Sequence, residues 1–411
     1  MSSPATSGDR EKVVSKLPGW LRQSLKVRTA QRGVDIQTAV EEGISAWSAL
    51  AASLDTVDTA GADSFSTFLP HGQWDEFKAV AKTRSVSLTQ GLAQAVQLWL
   101  DTHPTPDVER PAVTRRLIVC NQKGGVGKTA ATAGLGEALA EDPNTLRPVQ
   151  IAKQLAVASD SEGDPLDIEN LPGLGLRVLL VDFDPQCHLT TQLGAQKLPM
   201  DGDSLTNHMG SSPKGDLRDL IVSVDDDNFG GRLHLLPACN DAFLLDVRLS
   251  SVRAREAALE RALAPLEPDY DVILVDCPPS LGLSMDAAAY YGRRRDGEAP
   301  GQSGVLIIVQ AEDSSADAYD LLTNQIEDLR NDLGIVMDYL GLVVNLYDPR
   351  RGYIATSSLE GWMDIKDPRV VAIISDRKEQ REAVRTKQPL LSYAPTSPNA
   401  VGMRALAREI S

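Results

Sequence analysis

The order of apolar and polar residues changes character near residue 110. Before it, apolar residues recur at helical spacing. Ile36, Val40, Ile44 and Trp47 fall on one helix face, and Leu88, Leu92, Val96 and Trp99 repeat that stripe 52 residues later. The repeat runs without a gap from Leu17 and from Leu69. Leu17/Leu69, Pro18/Pro70, Lys26/Lys78, Arg32/Arg84, Val34/Val86 and Trp47/Trp99 coincide. Each copy predicts a short strand (KVVSK, SFSTF), Leu-Pro, a helix, a turn near Gly33 or Ser85, and a second helix. Strand alternation puts Val13, Ser15 and Leu17 on one face and Lys12, Val14 and Lys16 on the other, where the second copy offers Ser64, Ser66 and Phe68.

A proline-containing linker, DTHPTPDVERPAVTRR, separates the repeats from the rest and sets the expected domains at 1–110 and 111–411. Beyond it, short runs rich in branched residues alternate with helical segments: RRLIVC, LRVLLVDFD, LHLLP, YDVILVDC, GVLIIVQ, YLGLVVNLY and VVAIIS. Near-continuous apolar strands of this kind suit a sheet covered on both faces. The expected fold is α/β, a doubly wound, mostly parallel sheet with a phosphate loop, preceded by a small, mostly helical N-terminal domain. Residues 141–172 read as an insertion with its own short helix and no assigned role.

Composition narrows the class. No apolar run approaches the ~18 residues that a membrane span needs, and the N-terminus lacks a signal-peptide core, so the expected location is cytoplasmic, without a membrane partner. Cys120, Cys187, Cys239 and Cys277 form no C-x-x-C pair and read as reduced core thiols. The net charge of −16 excludes a protein coated in basic surface, while local basic patches remain compatible with nucleic acid.

The candidate chemistry begins at NQKGGVGKT. Gly127, Lys128 and Thr129 end a phosphate loop, but Gln122 stands where its first glycine belongs and Lys123 adds a second cation. The stretch follows an apolar strand and opens a helix, so backbone N–H groups of Gly124, Gly125, Val126, Gly127 and Ala130 can face phosphate oxygens beside a helix N-terminus. Lys128 would reach the β- and γ-phosphates of ATP, and Thr129 would ligate Mg²⁺. VLLVDFDPQ and VILVDCPPS place Asp182, Asp184 and Asp276 at strand ends, where an open α/β sheet binds its ligands. Such aspartates can hold Mg²⁺ or orient an attacking water.

KGGVGKT, VLLVDFDPQ and VILVDCPPSLGL together resemble the ParA family of ATPases, the deviant Walker A group that also includes MinD. LLPACNDAFLLDVRL, VQAEDSSADAYDLL, VVNLYDPRRG and APTSPNAVGMRALAREI agree, and the resemblance covers about residues 114–411. It implies a weak intrinsic ATPase that forms a homodimer around two ATP molecules. Lys123 would cross to the partner's nucleotide, Asp184 would position the hydrolytic water, and Asp182 and Asp276 would serve the magnesium shell. Asn345 would lie near the adenine. Three positions depart from the family's pattern: Ala130 replaces a common second hydroxyl, Cys187-His188 stands where Gly-Asn is usual, and Ser375-Asp376 falls in a usual Ile-Pro-Arg.

The family resemblance also implies non-specific DNA binding by the ATP-bound dimer, stimulation by a ParB-type centromere-binding protein, and association with the nucleoid. Arg350, Arg351, Arg377, Lys378, Arg381 and Arg385 are the candidate phosphate contacts. The strand-helix-helix repeats are similar to the ribbon-helix-helix family, whose paired strands enter the major groove, and this adds Lys12 and Lys16 as candidates. The expected function is plasmid or chromosome partition, with the N-terminal region binding operator DNA. An ATP-regulated repressor and a MinD-like or protein-cargo positioning ATPase are the alternatives that the residues leave open.

Overall fold

A computed structural model describes residues 10–51, 54–151, 167–224, 227–312 and 314–411. The chain divides into two units. One runs to Asp107 and includes Pro143–Leu146; the other comprises Val108–Asp142 and Arg147–Ser411.

In the first unit each repeat gives a strand and two helices: β1 (Arg10–Pro18), α1 (Gly19–Arg32) and α2 (Ile36–Ala49), then β2 (Ala62–Pro70), α3 (Gln73–Thr83) and α4 (Leu88–Thr102). The turn between the helices needs a left-handed residue. Gly33 supplies it at φ 62°, and Ser85, its equivalent, adopts φ 53°. Strands β1 and β2 pair antiparallel with Val14 opposite Ser66. Those two residues are one repeat apart, so the register is centred on an approximate two-fold axis relating the copies. The core obeys the same symmetry. Trp47 Nε1 donates to Gln94 Oε1 at 3.1 Å and Trp99 Nε1 to Glu42 Oε2 at 2.9 Å, a reciprocal exchange between equivalent positions. Helices α2 and α4 touch at another equivalent pair, where a Cβ on Gly43 would lie 2.6 Å from the Ala95 carbonyl oxygen. Leu17, Leu21, Leu69, Phe77 and both tryptophans close one shared core, which neither repeat could bury alone.

The second unit is built on an eight-stranded sheet. Its elements are β3 (Arg115–Cys120), α5 (Lys128–Ala140), β4 (Leu146–Gln150), β5 (Ile168–Pro172), β6 (Val178–Asp182), α6 (His188–Gln192), α7 (Leu205–Met209), β7 (Val222–Ser223), β8 (Leu233–Leu236), α8 (Leu245–Leu249), α9 (Ala258–Leu263), β9 (Val272–Asp276), α10 (Leu283–Gly292), β10 (Gly304–Val309), α11 (Ser314–Leu333), β11 (Tyr339–Tyr347), α12 (Tyr353–Asp364), β12 (Val370–Ser375), α13 (Lys378–Thr386), α14 (Leu390–Tyr393) and α15 (Pro398–Ile410). The strand order is β12-β11-β10-β3-β9-β6-β8-β7. All neighbours run parallel except β7, which pairs antiparallel with β8. Alternation sorts the strands between two cores: Leu117 and Val119 pack with α5 and α15, and Ile118 and Cys120 with the opposite layer.

The α/β expectation therefore holds, with β7 added. Strands β4 and β5 form a separate two-stranded sheet at the ends of the 141–172 insertion, and the short helix expected inside that insertion lies outside the described residues. All four cysteines are buried and free. Among the described residues no helix is long and apolar enough to cross a membrane.

Candidate nucleotide site and basic surface

Strand β3 sits at the centre of the sheet, and its C-terminal end delivers residues 121–127 into the N-terminus of α5. Gly125 and Gly127 take φ 79° and 80°, which lets the loop curl back over the strand. Gly127 has a second constraint: a Cβ there would lie 2.3 Å from Asn345 Nδ2. The Asn345 amide donates to the carbonyl oxygens of Val126 at 2.9 Å and Gly127 at 3.3 Å, so the end of β11 props the loop from below. Lys128 is buried and its Nζ donates to the Lys123 carbonyl at 3.0 Å.

The charges of Asp276 and Asp184 act on this ammonium, and Asp182 stands beside Asp276. Asp182 and Asp276 end adjacent strands and stand directly opposite one another. Asp182 Oδ2 accepts from the Thr190 backbone N at 2.8 Å and hydroxyl at 2.6 Å. Asp276 Oδ1 accepts from the Thr132 hydroxyl at 3.2 Å, while its buried Oδ2 meets no hydrogen-bond partner among the described residues. Asp184 Oδ1 accepts from Gln186 N at 2.9 Å. Burial pushes the Asp276 carboxyl up to about 8, with the nearby Asp182 charge adding and Thr129 and Lys128 opposing. Burial likewise raises Asp182 to about 6 against its bonds from Thr190. Lys128 falls below the usual lysine range through burial, although Asp276 pulls the other way.

Lys123 lies at the edge of the site. Its Nζ donates to Glu312 Oε2 at 2.9 Å, and Glu312 Oε1 accepts from Arg351 at 3.0 Å. The Lys123 bond, against the opposing effect of burial, holds the Glu312 carboxyl below the usual range. Glu312, Thr132 and Thr190 were not singled out by their sequence pattern. The available signal was position, since Glu312 follows β10 and Thr190 lies in the helix after Asp184. Cys187, where the family's pattern has glycine, takes φ 56° and caps α6.

The raised carboxyls carry a pH prediction. An acid whose folded pKa exceeds its unfolded value contributes stability that is complete below about pH 4 and is lost as pH rises through the folded pKa. In the presence of a chelator and without nucleotide, the melting temperature should fall from pH 5 to 8.5, through the ranges of Asp182 and Asp276. Asp276→Asn should flatten the upper half of that slope in calorimetry.

The basic candidates occupy separate places. Lys378, Arg381 and Arg385 are exposed and lie at helical spacing along one side of α13, with Arg377 at its N-cap. Asp376 joins Arg381 at 2.5 Å and Arg351 at 3.7 Å, bringing α13 beside the turn that carries Arg350. Arg350 is exposed and paired with Asp348 at 2.8 Å. Lys12 and Lys16 belong to the other unit, on the exposed face of β1.

Known proteins fit this geometry. Residues 117–170 match the family model of the CobQ/CobB/MinD/ParA nucleotide binding domain, and residues 168–336 match an AAA domain. An uncharacterized protein of Mycobacterium tuberculosis is 29% identical over 298 residues, 72% of this chain and 77% of that protein. The chromosome-partitioning ATPase Soj of Thermus thermophilus is 29% identical over 302 residues, 73% of this chain and 96% of its own. Cobyrinic acid a,c-diamide synthase from Mycobacterium smegmatis, solved with a bound ATP analogue and magnesium, superposes with a TM-score of 0.51 at 28% identity, covering 72% of this chain and 93% of that one. The phosphate loop on β3, the acidic ends of β6 and β9 and these likenesses together support a P-loop ATPase domain of the ParA/MinD/CbiA kind in the larger unit.

Proposed function

We propose that the protein is a partition ATPase of the ParA type, cytoplasmic and nucleoid-associated, whose ATP-bridged homodimer binds DNA and is reset by slow hydrolysis. The observation that carries this reading is the second loop lysine, Lys123, at the rim of a site whose own ammonium, Lys128, is already buried and under the influence of Asp276 and Asp184. A cation at the rim can serve a neighbouring nucleotide, as an arginine finger does in trans.

In this reading Lys128 binds the β- and γ-phosphates, and the backbone from Gly124 to Ala130 cradles them. Thr129, Asp182 and Asp276 would hold Mg²⁺. The fit rests on hard oxygen donors, an Asp276 Oδ2 that meets no hydrogen-bond partner among the described residues, and the placing of Asp182 directly opposite Asp276. The cation would supply charge neutralisation on the phosphates. Asp184 orients the attacking water, and Asn345 keeps the loop seated on the adenine side. Lys123 leaves Glu312 for the partner's phosphates, while Glu312 retains Arg351. Exposed apolar side chains flank the site: Phe243 and Leu244 follow Asn240, which is bonded to Pro185, and Tyr353 and Ile354 follow Arg351. A second copy would bury such a rim.

The α13 stripe, with Arg350, Arg351 and Arg377, supplies the non-specific DNA contacts, and a ParB-type centromere-binding protein stimulates hydrolysis. The N-terminal unit, with its paired strands, acts as a ribbon-helix-helix-like reader of operator DNA. Fluorescence anisotropy on a random duplex tests the non-specific part. Binding should require ATP, and Lys378→Ala/Arg385→Ala should weaken it about tenfold or more and lower the salt slope by ~2. ATP-independent binding, or an unchanged slope, would remove α13 from the DNA surface.

A further inference from the structure

We propose that the outward face of the β1–β2 ribbon reads a single non-palindromic stretch of duplex DNA, with one chain supplying both halves of the contact. The inference rests on the reading of the N-terminal unit as a DNA reader and deepens it.

A two-stranded ribbon fits the major groove, which is about 12 Å wide. Here the exposed outward positions are Arg10, Lys12, Val14 and Lys16 on β1, and Ser64, Ser66 and Phe68 on β2. None is acidic, in a chain whose net charge is −16. Lys12, Lys16 and the neighbouring Lys26 are exposed, and their ammonium groups make no hydrogen bond or ion pair among the described residues. Beside β2 a surface groove of about 400 Å³ brings Lys26 and Gln37 next to Ser64, Ser66 and Phe68, so the polar half also has a cation within reach. Val14 and Phe68 remain 62% and 44% exposed on a ribbon whose opposite face is well packed. Apolar groups held outward among unpaired lysines match a groove lined by thymine methyls and phosphates.

The asymmetry follows from the register. The two-fold axis through Val14 and Ser66 exchanges Lys12 with Ser64 and Lys16 with Phe68, and none of the pairs Lys12/Ser64, Val14/Ser66 and Lys16/Phe68 is chemically alike. The flanks differ as well, since Lys78, the equivalent of Lys26, is paired with Asp75 at 2.9 Å. A homodimer of identical strands presents the same residues twice and selects a palindrome. This ribbon presents Lys-Val-Lys against Ser-Ser-Phe. Lysine favours the O6 and N7 of guanine, and phenylalanine favours the thymine methyl. One half-site should therefore be guanine-bearing, and the other thymine-bearing.

The test is selection from a randomised duplex pool by the full chain without ATP, so that chains per duplex, read by native mass spectrometry, report the ribbon alone. The expected result is a non-palindromic consensus bound by one chain. Lys12→Ala/Lys16→Ala should relax the guanine half only and weaken the site about tenfold or more. Phe68→Ala should relax only the other half. Ser64→Lys/Phe68→Lys, which makes the strands alike, should shift selection toward a palindrome. Unchanged far-UV circular dichroism would show that these surface variants fold. A palindromic consensus for the natural chain, or two chains on the minimal site, overturns the inference and leaves the DNA-reading role standing. Enrichment that the ribbon variants do not alter, or no enrichment at all, overturns both and assigns the face to a protein partner.

Discussion

Lys123→Ala should bind ATP within a few fold of the natural chain and lose hydrolysis by about 10³-fold or more. In the structure the Lys123 ammonium pairs with Glu312, and Lys128 bonds the Lys123 backbone carbonyl, which the substitution keeps. Glu312 keeps Arg351 at 3.0 Å, so no buried charge is stranded. A loss confined to turnover marks a cation that meets the phosphates only as charge develops on them. Parallel measurement of ATP affinity by calorimetry and single-turnover hydrolysis separates the two effects. A large loss of affinity with normal turnover of the bound fraction would assign Lys123 to the cradle of its own chain instead.

Lys128→Ala should have the opposite signature. This ammonium is buried, and its charge opposes the raised carboxyl of Asp276. Its loss removes a charge-assisted phosphate contact and strengthens repulsion among Asp182, Asp184 and Asp276. ATP affinity should fall by about 100-fold or more, and ATP-dependent dimerisation should disappear from sedimentation profiles. Dimerisation that persists in Lys128→Ala would separate self-association from nucleotide binding.

The larger unit was legible because its strands are short apolar runs whose acidic ends carry the chemistry. Strand β7, only Val222–Ser223, has too few residues to show a period. Within the site, the phosphate loop and the three aspartates could be read from their positions, whereas Glu312 could not. Its pairing with Lys123 spans 189 residues and depends on how β10 and β3 lie side by side. Asn345 is a similar case. The family resemblance sets it near the adenine, but nothing local announces that its amide carries the loop carbonyls. In the smaller unit the repeat foretold the outward face of the ribbon. The register centred on Val14 and Ser66, and the Trp47–Gln94 and Trp99–Glu42 exchange, come from packing two unlike copies into one core.

The central claim, a lysine acting across an ATP-bridged dimer, is most directly tested by mixing two inactive variants. Lys123→Ala keeps an intact site but cannot serve its partner; Asp184→Ala has a dead site but can still donate Lys123. If the lysine acts in trans, an equimolar mixture should recover hydrolysis to about a quarter of the natural rate, since one site in each mixed dimer is complete. Activity that stays at the mean of the two variants, in a mixture shown to exchange subunits, would contradict it.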